Sequence, residues 1–376
     1  MKAAVLGFGT VGFGVYEMLK NAEGLEAGPV LVRQGKADAA FKVTELGDIL
    51  QDPEIGAVAE VMGGIEPAYT HACRILNSGK HFVTSNKALV AEKGPELAAL
   101  AEKNHAAFLF SAACGGGVPF LHNLSLAAQS DRIESVGGIL NGTTNYILDA
   151  MQREDLSYGD ALMEAQKLGF AEADPTADVS GTDAMRKIML ACAVAFGKLP
   201  AEGVCTEGIE SFSADDAAYF REKGLVCRLI ASGFPASAFV EPMLFPQNAP
   251  AASVRENFNM VWYCGKCSGK IAFTGQGAGR WPTASAVLRD LSDITCGRRQ
   301  MMPPDVRRVS ADNSRIAHPY CVRVPVGTEM AFPVKNRETF HGFDYIFTDD
   351  LSVSQMHREA ERMRREGRKL FFAAVD

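Results

Sequence analysis

The 376-residue chain is 47% hydrophobic with a net charge of -7, which supplies apolar material for more than one core and length for two domains or slightly more. That balance, with no basic clusters, excludes a nucleic-acid surface, and the locally basic REAERMRREGRK helix near the C-terminus reads as a solvated face. The longest uninterrupted apolar run, Ile188 to Phe196, is too short to span a bilayer, and nine cysteines without regular spacing fit the reduced thiols of a cytoplasmic protein.

In chain order, Lys2 to Leu6 is an apolar strand followed at once by Gly7-Phe-Gly9-Thr10-Val11-Gly12 and the helix-like VGFGVYEMLKNA. One lysine ahead of an apolar run imitates a signal peptide, but the glycines suit a strand and turn better. The order is that of a dinucleotide-binding turn. Gly7 permits the tight turn, Gly9 lets backbone approach a pyrophosphate, and Gly12 lets the helix pack with its N-terminus, at Thr10 and Val11, toward the phosphates.

The second strand is expected over Pro29 to Arg33. An NAD enzyme usually ends this strand in Asp or Glu, which binds the ribose hydroxyls. Here it ends in Arg33-Gln34, with Lys36 close behind, so the physical lean is toward NADP. The alternative is that Arg33 is only a solvated charge at a strand end.

Strands GAVAEVM, HFVTS and AAFLF then alternate with helices PAYTHACRILNSG and PELAALAEKN, the rhythm of a doubly wound parallel sheet. Function in such sheets collects at strand carboxyl ends: Gly63-Gly64, Thr84-Ser85-Asn86-Lys87, and the loop Ser111 to Pro119 with Cys114, Gly116 and Val118. Lys87 is either a solvated lysine or an electrophile beside a cofactor. The glycine triplet 115 to 117 either lines the site or only eases entry into a helix at Pro119.

From about Arg132 the pattern changes. Strand IESVGGIL leads to Asn141-Gly142-Thr143-Thr144-Asn145 and three helical stretches, the last two flanking an acidic segment from Glu172 to Lys187. Pro175 ends one helix and another opens near Ser180, which puts Asp183 and Lys187 on one helical face. With Glu172, Asp174 and Asp178 in the preceding loop, this constellation could bind a zwitterionic molecule and move a proton for it. The competing reading is a capping-box start with an ordinary surface pair contributing about 0.3 to 0.5 kcal/mol.

Later segments LVCRLIAS, FVEPMLF, MVWYC and KIAFTG are strand-like, so this domain is expected to be α+β with a largely antiparallel sheet. Cys264-Gly-Lys-Cys267 falls between two of them, as a hairpin carrying ordinary thiols. The glycine loop at Gly275 to Gly279 leads into the helix WPTASAVLRDLSDI, which could return to the first domain.

GFGTVG, TSNKA, the glycine loop, NGTTNYIL, GQGAGRWPTASAV and above all the unbroken pattern A-x3-G-F-A-x2-D-P-x2-D-V-x-G-x-D-x3-K from Ala165 to Lys187 resemble homoserine dehydrogenase. With the elements above this implies an α/β chain: a Rossmann-type doubly wound parallel sheet and a second α+β domain for catalysis and dimerisation. The expected divisions are 1–131 with a return segment at 281–316, then 132–280, and a short extension over 317–376 that is not a full ACT domain.

The resemblance further implies reversible reduction of L-aspartate 4-semialdehyde to L-homoserine with NADP or NAD, on the way to threonine, methionine and isoleucine, by a homodimer. By position Lys187 matches the proton donor, Asp183 the acid beside it, Glu172 the ligand of the substrate amino group, and Lys87 the lysine near nicotinamide and substrate. Gly142 and Thr143 match substrate contacts, with Asp178 beside them. Relatives commonly carry Glu where Ser111 stands and Val where Cys114 stands, in a loop whose carbonyls can hold a monovalent cation. The loss of that carboxylate weakens such a site at Ser111, Cys114, Gly116 and Val118. The competing functions are a non-catalytic dinucleotide sensor and a dehydrogenase of another small amino aldehyde.

Overall fold

A computed structural model describes residues 1–376, and the chain forms two compact units. The first comprises Met1–Ile133, Met189–Leu199 and Tyr263–Arg308, and the second Glu134–Ile188, Pro200–Trp262 and Val309–Asp376.

The first unit opens with β1 (Lys2–Leu6), α1 (Thr10–Leu19), β2 (Glu26–Leu31), β3 (Lys42–Val43), α2 (Leu46–Gln51), β4 (Ile55–Glu60) and α3 (Ala68–Asn77). It continues through β5 (His81–Thr84), α4 (Lys87–Lys103), β6 (Phe108–Leu109) and α5 (Phe120–Ser130). The strands form one six-stranded sheet in the order β3-β2-β1-β4-β5-β6, and every pairing in it is parallel. Its central strands are short runs of Ala, Val, Leu and Phe buried on both faces, as crossover helices on either side require.

The second strand begins and ends earlier than expected. Leu31 pairs with Leu6, the last residue of β1, so its ladder partner runs out before Arg33, which lies in the exposed loop that follows.

The chain continues with β7 (Ile133–Ile139), α6 (Gly142–Glu154), α7 (Tyr158–Lys167), α8 (Thr176–Val179), α9 (Thr182–Phe196), β8 (Lys198–Glu202), β9 (Cys205–Thr206), α10 (Ala214–Glu222), β10 (Leu225–Gly233) and β11 (Ala238–Pro246), all of the second unit except for Met189–Leu199 and the first residue of β7. The hairpin β12 (Phe258–Gly265) and β13 (Gly269–Gln276), which passes into the first unit at Tyr263, then leads to that unit's α11 (Arg280–Thr295). There α11 packs on α1 so closely that a methyl group on Gly14 would meet Ala284 Cβ at 3.1 Å. The chain ends with β14 (Arg307–Ser310), β15 (Ala317–His318), β16 (Tyr320–Pro325), β17 (Val334–Phe340), β18 (Phe343–Thr348), β19 (Leu351–Ser352), α12 (Val353–Arg365) and β20 (Phe371–Val375).

A long sheet runs β13-β12-β7-β10-β11-β20-β16-β18-β17, with β9 beside β11. Strand β20 joins the tail to the middle of the chain by pairing parallel with β11. The tail's single helix, α12, starts at a capping box made by Ser352 and Gln355, and no helix separates β16 from β17. Tyr320, Val322, Ile346, Met356, Met363 and Phe372 form one buried cluster there. Two buried carboxylates fasten the tail: Asp216 of α10 lies 3.1 Å from Arg323, and Glu241 of β11 lies 2.7 Å from His318 and 3.1 Å from His357. No helix is long and apolar enough to cross a membrane.

Candidate functional site

The turn after β1 is made of backbone. Gly7 has φ +100°, and a Cβ on Gly12 would lie 2.1 Å from the Gly7 carbonyl oxygen, so neither position accepts a side chain. Gly9 is different, because a Cβ there would meet nothing within 4 Å. It occupies the N-cap of α1, where no side chain caps the helix, and Thr10 beside it is exposed while Val11 is half-buried. Open space at uncapped amide groups on a helix N-terminus fits the pyrophosphate of a dinucleotide.

Arg33 and Lys36 are exposed in the loop after β2. The first acid there, Asp38, accepts a hydrogen bond from Lys42 at 2.5 Å, and that bond holds its carboxyl below the usual range.

The ends of β4 and β5 are tied by a buried carboxylate. Glu60 accepts from the amides of Met62 at 2.6 Å and Gly63 at 3.3 Å, and from the Thr84 hydroxyl at 2.5 Å. Gly63 and Gly64 have φ +81° and +77°, which lets the loop turn away from the strand. The Ser85 amide donates to the Glu60 carbonyl at 3.1 Å. Asn86 caps α4 through the Leu89 amide, and Lys87 is the first helical residue and half-buried.

In the glycine loop, Ser111 is fully engaged with Asp290 of α11. Its amide and hydroxyl donate to the two carboxylate oxygens at 2.7 and 2.5 Å, and burial pushes the Asp290 carboxyl up to about 7. Gly116 has φ +53°, and a Cβ on it would lie 2.4 Å from the Gly277 carbonyl group. Of the four carbonyls considered for a cation, Ser111's accepts from the Cys114 amide at 3.3 Å and Val118's from the Phe120 amide at 2.7 Å. No group of three or more His, Cys, Asp or Glu is placed to hold a metal ion.

In the second unit the residues near the chain's middle converge on the turn after β7. Lys187 Nζ lies 2.6 Å from Asp183 Oδ2 and donates to the Leu140 carbonyl at 2.7 Å. Asn141 is the hub: its Nδ2 donates to Asp178 Oδ1 at 2.7 Å and to Asp183 Oδ2 at 2.9 Å, while its Oδ1 caps α6 through the Thr144 amide. Asp183 and Lys187 are only 4% and 8% exposed, so the pair is not the solvated surface pair that the spacing alone allows. A methyl on Gly142 would lie 2.5 Å from the Asn257 carbonyl oxygen, and the Thr143 hydroxyl donates to the Phe170 carbonyl at 2.5 Å. Glu172 projects from the loop two residues beyond Phe170 and is exposed.

The structure thus brings together Asp178, Asp183, Lys187, Gly142 and Thr143 in the second unit. It groups Gly63, Thr84, Ser85 and Lys87 at adjoining strand ends of the first. Sequence reasoning missed Asn141 and Glu60. Asn141 stood inside a quoted motif, and its signal was an N-capping residue before an apolar helix. Glu60 carried a fainter one, a lone acid closing the otherwise apolar strand IGAVAE.

Two family models match the chain: that of the homoserine dehydrogenase NAD-binding domain over residues 7–111, and that of homoserine dehydrogenase over residues 119–292. A homoserine dehydrogenase of Synechocystis is 40% identical over 316 residues, covering 78% of this chain and 73% of that protein. One of Corynebacterium glutamicum is 39% identical over 313 residues, covering 77% and 70%. The crystal structure of a homoserine dehydrogenase from Thiobacillus denitrificans superposes with a TM-score of 0.89 at 29% identity, over 100% of this chain and 98% of that one. A hyperthermophilic archaeal homoserine dehydrogenase mutant in complex with NADPH gives 0.70 at 25% identity, over 79% of this chain and 98% of that one.

Proposed function

The chain belongs to the homoserine dehydrogenase family, whose reaction is the reversible reduction of L-aspartate 4-semialdehyde to L-homoserine with a nicotinamide cofactor, and we propose that Lys187 and Asp183 move its proton. The observation that carries this reading is the burial of the pair beside Asn141 and Asp178. A buried pair without a function is poor value for stability, because desolvating two charges costs about as much as their attraction returns. A buried ammonium held by one carboxylate and one carbonyl is, by contrast, well arranged to neutralise charge developing on a substrate oxygen and then to protonate it.

Asp183 orients Lys187, and Asn141 orients Asp183 and Asp178 in turn. Glu172, exposed on the adjacent loop, is the candidate partner for the substrate ammonium, with Gly142 and Thr143 at the turn. Lys87, in the first unit at the helix start that Asn86 caps, is the candidate lysine beside the nicotinamide.

Gly7, Gly9, Thr10, Val11 and Gly12 would hold the pyrophosphate of the dinucleotide, and Gly63, Thr84, Ser85 and Lys87 its nicotinamide end. When bound, this cofactor supplies or accepts the hydride. NADP(H) is the preferred form, because no free acid follows β2 to repel a 2'-phosphate and Arg33 is available to attract it. The active species is a homodimer formed through the second unit, which should sediment at about twice the 40.4 kDa of the chain.

Oxidation of L-homoserine by the purified protein, followed at the reduced nicotinamide absorbance with NADP and with NAD, tests the reading. Turnover with NADP exceeding that with NAD is expected. Dinucleotide binding with no homoserine-dependent turnover would support the sensor instead.

A further inference from the structure

Glu60 ends a strand whose other residues are apolar, and it is 0% exposed. A buried carboxylate in such a strand is costly unless its oxygens are satisfied, and its partners come from the turn after β4 and from Thr84, which ends β5 beside it. Amides of Met62 and Gly63 meet one oxygen, the Thr84 hydroxyl meets the other, and the Glu60 carbonyl receives the Ser85 amide. Thr84 Oγ1 in turn accepts the Asn86 amide at 2.9 Å, and Asn86 Nδ2 donates to the Gly64 carbonyl at 2.5 Å, which closes a ring between the two turns.

We propose that Glu60 is a positioning residue of the dinucleotide site, fixing the turns after β4 and β5 in one arrangement so that Gly63, Gly64 and Lys87 are presented together. The proposal rests on reading these strand ends as the cofactor crevice. Its chemistry is specific to a carboxylate. The donors of Met62, Gly63 and Thr84, with the Asn86 side chain beside them, converge on two oxygens, so a glutamine must turn its amide group against either the Met62 and Gly63 amides or the Thr84 hydroxyl. In the second case the hydroxyl already accepts the Asn86 amide and its own proton loses its acceptor.

The test compares Glu60→Gln, Thr84→Val, the double variant, and Glu54→Gln, which alters an exposed acid just before the same strand. NADPH affinity is read from the fluorescence of the bound reduced nicotinamide, and kcat and KM from L-homoserine oxidation. Glu60→Gln should weaken NADPH binding by about tenfold or more, the scale of losing a charge-assisted hydrogen bond and leaving its partner unsatisfied. It should lower kcat by at least as much and leave KM for L-homoserine within about twofold. Thr84→Val should act in the same direction, the double variant should be little worse than either single one, and Glu54→Gln should match the unmodified protein.

If Glu60→Gln binds NADPH and turns over within twofold of the unmodified protein, or if the two single losses multiply in the double variant, the proposal is overturned. Unchanged NADPH affinity per folded molecule with a lowered melting temperature would likewise overturn it, leaving Glu60 merely structural. Should Glu60→Gln fail to fold, Thr84→Val decides by the same affinities. If the unmodified protein binds NADPH but does not oxidise L-homoserine, the family reaction fails for this chain and the affinities alone judge Glu60.

Discussion

The dinucleotide turn of the first unit and the Asp183–Lys187 cluster of the second are made of opposite materials. At the turn, Gly7, Gly9 and Gly12 leave bare backbone at the uncapped start of α1, so what it presents is amide groups and space. Around Lys187, by contrast, the proposed proton-moving groups are buried side chains held by their neighbours: Lys187 by Asp183 and the Leu140 carbonyl, Asp183 by Asn141, and Asn141 by its place at the cap of α6. One region should therefore be intolerant of volume and nearly indifferent to charge, and the other intolerant of charge and forgiving of small changes in shape.

The largest effect that tests this contrast is Gly12→Ala. Its methyl carbon would start 2.1 Å from the Gly7 oxygen, so the turn must open, and NADPH affinity should fall by roughly a hundredfold, about 2.7 kcal/mol. Fluorescence titration measures it; an affinity within threefold of the unmodified protein would break the contrast at its steric end.

A smaller change is expected from Arg33→Ala, which alters charge but no part of the turn. The ratio of NADP to NAD catalytic efficiency should shrink by about tenfold, the scale of one lost phosphate contact, with NAD kinetics unmoved. Equal efficiencies with both cofactors in the unmodified protein would remove the basis for Arg33's role.

The least effect on chemistry should come from Glu241→Gln, a buried charge that fastens the tail and touches no candidate site residue. Burial pushes the Glu241 carboxyl up, but hydrogen bonds from His318 and His357 outweigh it and hold the group below its ordinary value. The stability it contributes is then fully present above the unfolded value, about pH 4.3, and is lost as pH falls through the lower folded value. Melting temperature against pH should show Glu241→Gln less stable near pH 7 and less steeply weakened by acid, with turnover per folded molecule unchanged. An acid limb identical to that of the unmodified protein would contradict this.

The first unit was the more legible half, because its rhythm of apolar strand, glycine turn and helix is local. The register of β2 was not, since the length of β1 opposite it decides where pairing stops. In the second unit the spacing from Asp183 to Lys187 placed both on one helical face. Spacing says nothing about depth, and the partners that hold this buried pair, Leu140 and Asn141, lie more than forty residues earlier. Glu60 and Asn141 escaped for a related reason: each looks local in the sequence, as a strand end and a helix cap, and each has partners on another element. The tail's helix was visible in its basic REAERMRREGRK run, whereas the parallel pairing of β20 with β11 has no sequence signature.

Turnover of Lys187→Met, set beside Arg186→Met and the double variant Lys187→Met/Asp183→Asn, tests the central claim most directly. Removing Lys187 alone leaves Asp183 a buried charge and should destabilise the protein by about 3 kcal/mol or more. Turnover is therefore counted per molecule that still binds NADPH. The double variant removes that imbalance and should recover much of the stability. A hundredfold or greater loss of kcat in both Lys187 variants, with Arg186→Met close to the unmodified enzyme, is the result expected of a proton donor. Recovery of turnover together with stability in the double variant would contradict the account, and would mean that the buried pair holds the fold while another group moves the proton.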